Sequence, residues 1–170
     1  TFVLIIAIIA LIIDVSFAIR FRKRVDDAVS SVNLQDAIVE CPNIEGFKKN
    51  ATKLLHHKSL NYAIVVFSLK RFHFIEDQFG ADASVSLLKY MKEILVALCH
   101  ENETFGYFGD GKFLLLMDFN QENIFRNRLS VFEGIINKYE TLKENRVKMQ
   151  LAAGVYLVKN NPNKTVADMI

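Results

Sequence analysis

The chain has 170 residues, 51% of them hydrophobic, and a formal net charge of +2. That length supports one domain with its own core plus an extra segment, and so weak and scattered a positive charge argues against a nucleic-acid partner. Cys41 and Cys99 stand far apart, fit no CxxC pattern, and read as free thiols of a reducing compartment rather than a disulfide.

The chain opens with Thr1 inside an apolar run and closes on TVADMI, where a helix is starting, so it is expected to be a fragment of a longer protein. Residues 2–13 are unbroken apolar sequence, continued by residues 15–19 after Asp14. As a helix, residues 2–19 would span about 27 Å, close to the ~30 Å of a bilayer core. Arg20, Arg22, Lys23 and Arg24 follow at once. Residues 1–20 are therefore expected to form one transmembrane helix of the inner membrane, with everything downstream on the cytoplasmic side. The rival is a signal peptide cleaved at Ser16-Phe17-Ala18, but such a peptide carries its positive charge before the apolar run. Asp14 reads as a carboxylate reaching for the interface, against a polar contact between paired helices.

Val25, Ala28, Val29 and Val32 recur at helical spacing, which predicts a juxtamembrane linker helix over residues 21–35. DAIVECPN over residues 36–43 breaks that pattern, and Asn43 is placed to cap a helix from Ile44 to about His57. NYAIVVFSL (61–69) has the composition of a buried strand. Residues 72–79 read as a short helix stopped by Gly80. Asp82 or Ser84 opens a longer one through Cys99, with Leu87, Leu88, Met91, Leu95 and Leu98 as its apolar stripe. TFGYFGDGKFLLLMDF (104–119) holds two apolar-aromatic runs around Gly109-Asp110-Gly111 and reads as a β-hairpin. Residues 122–142 predict a single amphipathic helix, residues 149–158 a strand, and Asn160-Asn-Pro-Asn a loop before the last helix. The element order predicts an α+β fold of the split βαβ, ferredoxin-like kind, with helices on a mixed or antiparallel sheet.

Several conspicuous residues have ordinary readings. Gly106 to Lys112 satisfies G-x4-G-K, but Phe113 follows where a P-loop needs Ser or Thr, and KFLLLMDF is a strand rather than a helix. His56, His57, His73 and His100 form no HExxH or zinc spacing. Glu76 and Asp77 are adjacent, so on a helix they point in different directions and read as a solvated surface rather than an acid/base pair. Asn50, Asn102 and Asn163 open N-x-T triplets that a cytoplasmic placement makes irrelevant.

From Asp36 to Ile170 the chain resembles a GGDEF domain, the diguanylate cyclase family, whose fold is the nucleotidyl-cyclase palm. The family's entry pattern D-x-L-T-G-L-x-N-R-x-x-F is echoed by Asp36, Pro42, Asn43 and Phe47, and its D-I-D-x-F-K-x-I-N-D-x-x-G pattern by Phe72, Ile75, Asp77 and Gly80. The signature pentapeptide falls on Gly109, Asp110, Gly111, Lys112 and Phe113, and Gly154 is in register with the S-I-G-V-A strand.

What the resemblance implies is a retained scaffold without its chemistry. The family's metal-binding Asp on the first strand is Ser68, its guanine-reading Asn is Glu76, and the second-helix Asp that also meets the base is Val85. The second glycine, the acid and the glutamate of the signature are Asp110, Gly111 and Lys112, and the R-x-x-D product site is His100 to Glu103. No catalytic residue and no metal ligand is therefore expected, and neither Mg²⁺ nor tight GTP binding. The expected function is a catalytically inactive, regulatory or oligomerising domain of a membrane-bound cyclic di-GMP signalling protein, as a homodimer or within a larger membrane complex. One alternative is the regulatory part of a phosphodiesterase whose EAL domain lies beyond residue 170. Another is an interaction scaffold that uses no nucleotide.

Overall fold

A computed structural model of the protein describes Ser16, Phe17, Ile19, Arg20, Arg22 and residues 34–57, 61–160 and 163–170. The expected transmembrane helix over 1–20 and linker helix over 21–35 fall almost wholly outside the described residues; among these, no helix is long and apolar enough to cross a membrane. The chain divides into two units, Thr1–Leu34 and Gln35–Ile170. The second carries the sheet.

Its elements are α1 (Ile44–His57), β1 (Tyr62–Leu69), α2 (Phe72–Phe79), α3 (Ala81–Leu98), β2 (Thr104–Gly109), β3 (Lys112–Asp118), α4 (Glu122–Ile136), α5 (Glu140–Glu144) and β4 (Leu151–Leu157). The four strands form one antiparallel sheet in the order β2-β3-β1-β4. β1 is central because nearly every residue in YAIVVFSL is apolar, and both its faces are covered.

Alternation along the strands sends side chains to two separate cores. Ala63, Val65, Phe67, Phe113, Leu115 and Met117 face α2, α3 and α4, where Phe67 stacks on Phe113 and Phe132 at ring distances of 5.7 and 6.1 Å. Ile64, Leu114 and Leu116 face the other way, onto Phe47 and Ala51 of α1 and onto Val158, Val166 and Met169. The Asn43 side chain accepts the Gly46 N–H at 3.0 Å, the expected cap of α1.

Several boundaries differ from the sequence reading: besides small shifts at the end of α3, at Leu98 rather than Cys99, and in the last strand, which runs over 151–157 rather than 149–158, three have a clear physical reason or consequence. The helix expected over residues 122–142 stops at Ile136, because Asn137 spends its amide elsewhere. Its Nδ2 donates to the Glu133 and Met149 carbonyls and its Oδ1 accepts the Met149 N–H at 2.8 Å, tying the turn to the approach of β4. α3 starts at Ala81 rather than at Asp82 or Ser84, because Gly80, at φ +86°, ends α2 and opens α3 at once. Ser84 is buried inside the helix and donates to the Ala81 carbonyl. The last helix is a single 3-10 turn, Val166–Met169, closed by a capping box between Thr165 and Asp168.

Candidate functional site

The hairpin β2-β3 turns through Gly109, Asp110 and Gly111, all with positive φ (98°, 49° and 68°). Two glycines relieve most of that strain and the short aspartate tolerates the rest. β2 carries a bulge between Tyr107 and Gly109 before the turn. The tip is held on both sides: the Leu69 N–H donates to the Gly111 carbonyl, and the Tyr107 N–H donates to the Pro42 carbonyl.

Antiparallel pairing places Lys112 directly opposite Ser68, and Ser68 opposite Ala152 on its other side. The three side chains share the sheet face that carries α1. Asp110 reaches back to Lys112, with 3.8 Å between carboxylate and ammonium, and both are well exposed. Gly111 lies beneath Phe72: a Cβ built there would sit 2.5 Å from Phe72 Cγ and 2.9 Å from its Cβ. The ring occupies the space an acidic side chain would need.

This donor set does not fit the divalent metal that the family implies. Ser68 offers a neutral hydroxyl, position 111 offers no side chain, and position 112 offers a cation, whereas hard divalent ions take carboxylates. Among the described residues no three His, Cys, Asp or Glu gather to hold an ion.

The remaining family positions are spread out. Glu76 is half-exposed on α2, with His73 Nδ1 3.9 Å away, and Asp77 is exposed beside it. Val85 is half-buried on α3. Beside the hairpin, Asp36, Asn43, Glu45, Tyr107 and Phe108 line a hollow of about 340 Å³. Asp36 Oδ1 accepts the N–H groups of Ile38 and Val39, and Phe47 is fully buried. Gly106 is required by close approach: a Cβ there would lie 2.7 Å from Phe47 Cβ and 2.9 Å from the Pro42 carbonyl.

His100 and Glu103 part company. His100 is exposed, whereas the Glu103 side chain is 1% exposed and forms a forked ion pair with Arg128 of α4, both N···O distances 2.6 Å. Glu103 also accepts the backbone N–H groups of His100 and Asp118 at 2.9 Å each, and Arg128 donates further to the Leu98 carbonyl. Burial pushes the Glu103 carboxyl up, but Arg128 and the two N–H donors outweigh it and hold it below the ordinary range. Sequence reasoning missed Arg128; its only signal was an arginine on the otherwise apolar side of a helix. Burial also pushes the Cys41 thiol up to about 11 and the Cys99 thiol up to about 12, so both free cysteines stay protonated.

The family description "Diguanylate cyclase, GGDEF domain" matches residues 33–170. Among solved structures, the chain is similar to the coiled coil and GGDEF domain of DgcB from Caulobacter crescentus in complex with c-di-GMP, at 10% identity and a TM-score of 0.68, covering 94% of this chain and 91% of that one. It is similar to a diguanylate cyclase/phosphodiesterase from Caldicellulosiruptor saccharolyticus, at 10% identity and a TM-score of 0.67, covering 83% and 82%. It is also similar to diguanylate cyclase SiaD in complex with its activator SiaC from Pseudomonas aeruginosa, at 13% identity and a TM-score of 0.58, covering 90% of this chain and 64% of SiaD. No curated protein matches the sequence. The structural likenesses share the fold, and the family match spans the whole sheet-bearing unit: the chain belongs to the GGDEF, diguanylate cyclase, family.

Proposed function

We propose that this is a GGDEF domain that has lost metal-dependent nucleotide chemistry and works as a regulatory, oligomerising module of a membrane-bound cyclic di-GMP signalling protein, on the cytoplasmic side of the inner membrane. The observation that carries the reading is Lys112 opposite Ser68. An ammonium ~4 Å from a divalent ion, at an effective dielectric of ~20, repels it by about 8 kcal/mol, twice the unit-charge figure. With Gly111 shut beneath Phe72, position 111 supplies no compensating carboxylate. Glu103 is committed to Arg128, so it is not available at the surface to complete a product-binding pair with His100.

The membrane placement rests on the apolar run 2–19 and the basic cluster that follows it. Titration calorimetry of the full chain with GTP, with and without Mg²⁺, tests the nucleotide side: no metal-dependent heat is expected, and tight GTP binding that needs the metal would overturn the reading. Two neighbouring readings stay attached to it. In one, the domain tunes a cyclic di-GMP phosphodiesterase whose EAL domain follows residue 170; a gene ending shortly after the GGDEF domain contradicts that. In the other, it is a scaffold indifferent to nucleotides, which measurable binding of GTP or cyclic di-GMP contradicts.

A further inference from the structure

After its first turn, α1 carries charge of one sign. From Gly46 to Leu60 the sequence holds Lys48, Lys49, Lys53 and Lys58 but no Asp or Glu, and the next acid is Glu76. Helical spacing sorts these residues by face. Phe47 and Ala51 are fully buried against the sheet, with Leu54 and Leu55 packed beside them. Lys49, Thr52, Lys53 and His56 are exposed on the side away from it.

Glu45 is the one acid of α1, and its carboxylate lies 2.8 Å from the Lys48 ammonium. That pair accounts for Lys48. Among the described residues, Lys49 and Lys53 have no acidic partner, whereas Lys89 is paired with Glu40, Lys92 with Glu93 and Arg126 with Glu122. Like charges four residues apart on a helix repel each other, so an anionic surface facing Lys49 and Lys53 relieves a strain that the domain itself leaves standing. The groove that α1 shares with Val158, Val166 and Met169 opens along Thr52, Leu55 and His56, and neither lysine lines it.

We propose that the outer face of α1 docks on the anionic headgroups of the bilayer in which the chain is anchored, with Lys49 and Lys53 as the contact charges. The inference rests on the membrane-anchored part of the proposed function and is independent of its nucleotide part. Anionic lipid is the occupant because Arg20, Arg22, Lys23 and Arg24 close the apolar run 2–19, so the proposed anchor sets the chain on a leaflet that attracts cations. Only 19 residues separate Arg24 from Ile44, a tether of roughly 65 Å even when fully extended. Docking is then an intramolecular step at high effective concentration. Each lysine at such a surface raises the docked population about fivefold, and two raise it about thirtyfold.

The test uses the full chain reconstituted in lipid nanodiscs, with a nitroxide on Thr52→Cys beside the two lysines or on Ser86→Cys. Ser86 is exposed on α3, across the sheet from α1. The native thiols do not compete for the label, since Cys41 is buried and both stay protonated. Collisions with a water-soluble nickel chelate, read by power saturation, report exposure. Moving from phosphatidylcholine to discs that include phosphatidylglycerol should lower collisions at position 52 at least about threefold and leave position 86 unchanged. Adding Lys49→Glu with Lys53→Glu, or raising the salt to about 0.5 M, should return position 52 to its phosphatidylcholine value. The circular dichroism spectrum of the double variant should match that of the native chain. Equal exposure of position 52 in both lipids overturns the proposal. So does protection that survives the charge reversal, or protection of both labels alike. A chain that fails to enter the discs overturns the anchoring reading itself, whereas one that enters and stays exposed overturns only the docking.

Discussion

Ser68 and Lys112 face each other across the β1-β3 ladder, at the point where the central strand ends and the signature hairpin begins. Residues opposed in an antiparallel pair share a face and lie close enough to act on one ligand. A hydroxyl and an ammonium at such a place favour an anion or water over a divalent cation.

Restoring the charges should therefore restore metal affinity before anything else. Ser68→Asp with Lys112→Glu sets two carboxylates opposite each other on one face, and Mn²⁺ binding in the region of about 1 mM is expected. Titration calorimetry checks this, with the native chain as the comparison giving no heat. Equal binding by both proteins would mean that Lys112 does not govern the site.

Gly111 bears on the same question from the side of stability. It sits at φ +68° and a Cβ there meets the Phe72 ring at 2.5 Å. Gly111→Asp is expected to destabilise the domain by about 1–3 kcal/mol, through backbone strain and the displaced ring. Urea unfolding measures the loss. Combining it with Phe72→Leu should recover part of the loss if the ring is the obstacle.

The Glu103–Arg128 pair gives a larger effect. Arg128→Ala leaves a buried carboxylate with only its two backbone donors, and a loss of about 3–5 kcal/mol is expected. Glu103→Gln should cost less, because the amide oxygen can still accept from Arg128 or from one of the backbone N–H groups. A double-mutant cycle by chemical denaturation isolates the coupling between them.

That pair also sets a pH dependence with a definite sign. The Glu103 carboxyl is held below its ordinary value in the folded state. The unfolded chain therefore binds its proton at a higher pH than the folded chain does. The stability from this group is complete above the ordinary carboxylate range and is lost as the pH falls through the lowered folded value. Melting temperatures measured between pH 7 and pH 3 should fall more steeply for the native chain than for Glu103→Gln. Parallel curves would place the acid sensitivity elsewhere.

The sequence was most informative where local chemistry decides structure. The apolar run of β1, the Gly-Asp-Gly turn and the Asn43 cap each depend on neighbours a few residues away, and the structure has all three. It was silent where one side chain answers to a distant one. Asn137 ends α4 because Met149, 12 residues on, takes its amide, and nothing in the periodicity of residues 122–142 records that. Arg128 and Glu103 are 25 residues apart on different elements, so Glu103 reads as a surface position in the line of sequence although the fold turns it inward. At the hairpin, the sequence supplied the residue types. That Phe72 closes over Gly111 is a fact of packing alone.

The most direct test of the central claim is the synthesis of cyclic di-GMP from GTP by the full chain with Mg²⁺ or Mn²⁺, followed by chromatography of the products. With Lys112 opposite Ser68 and no acid at position 111, GTP is expected to be recovered unchanged. Turnover to cyclic di-GMP would contradict the account, and loss of that turnover in an Asp110→Asn variant would show that the hairpin works through the acid at its tip.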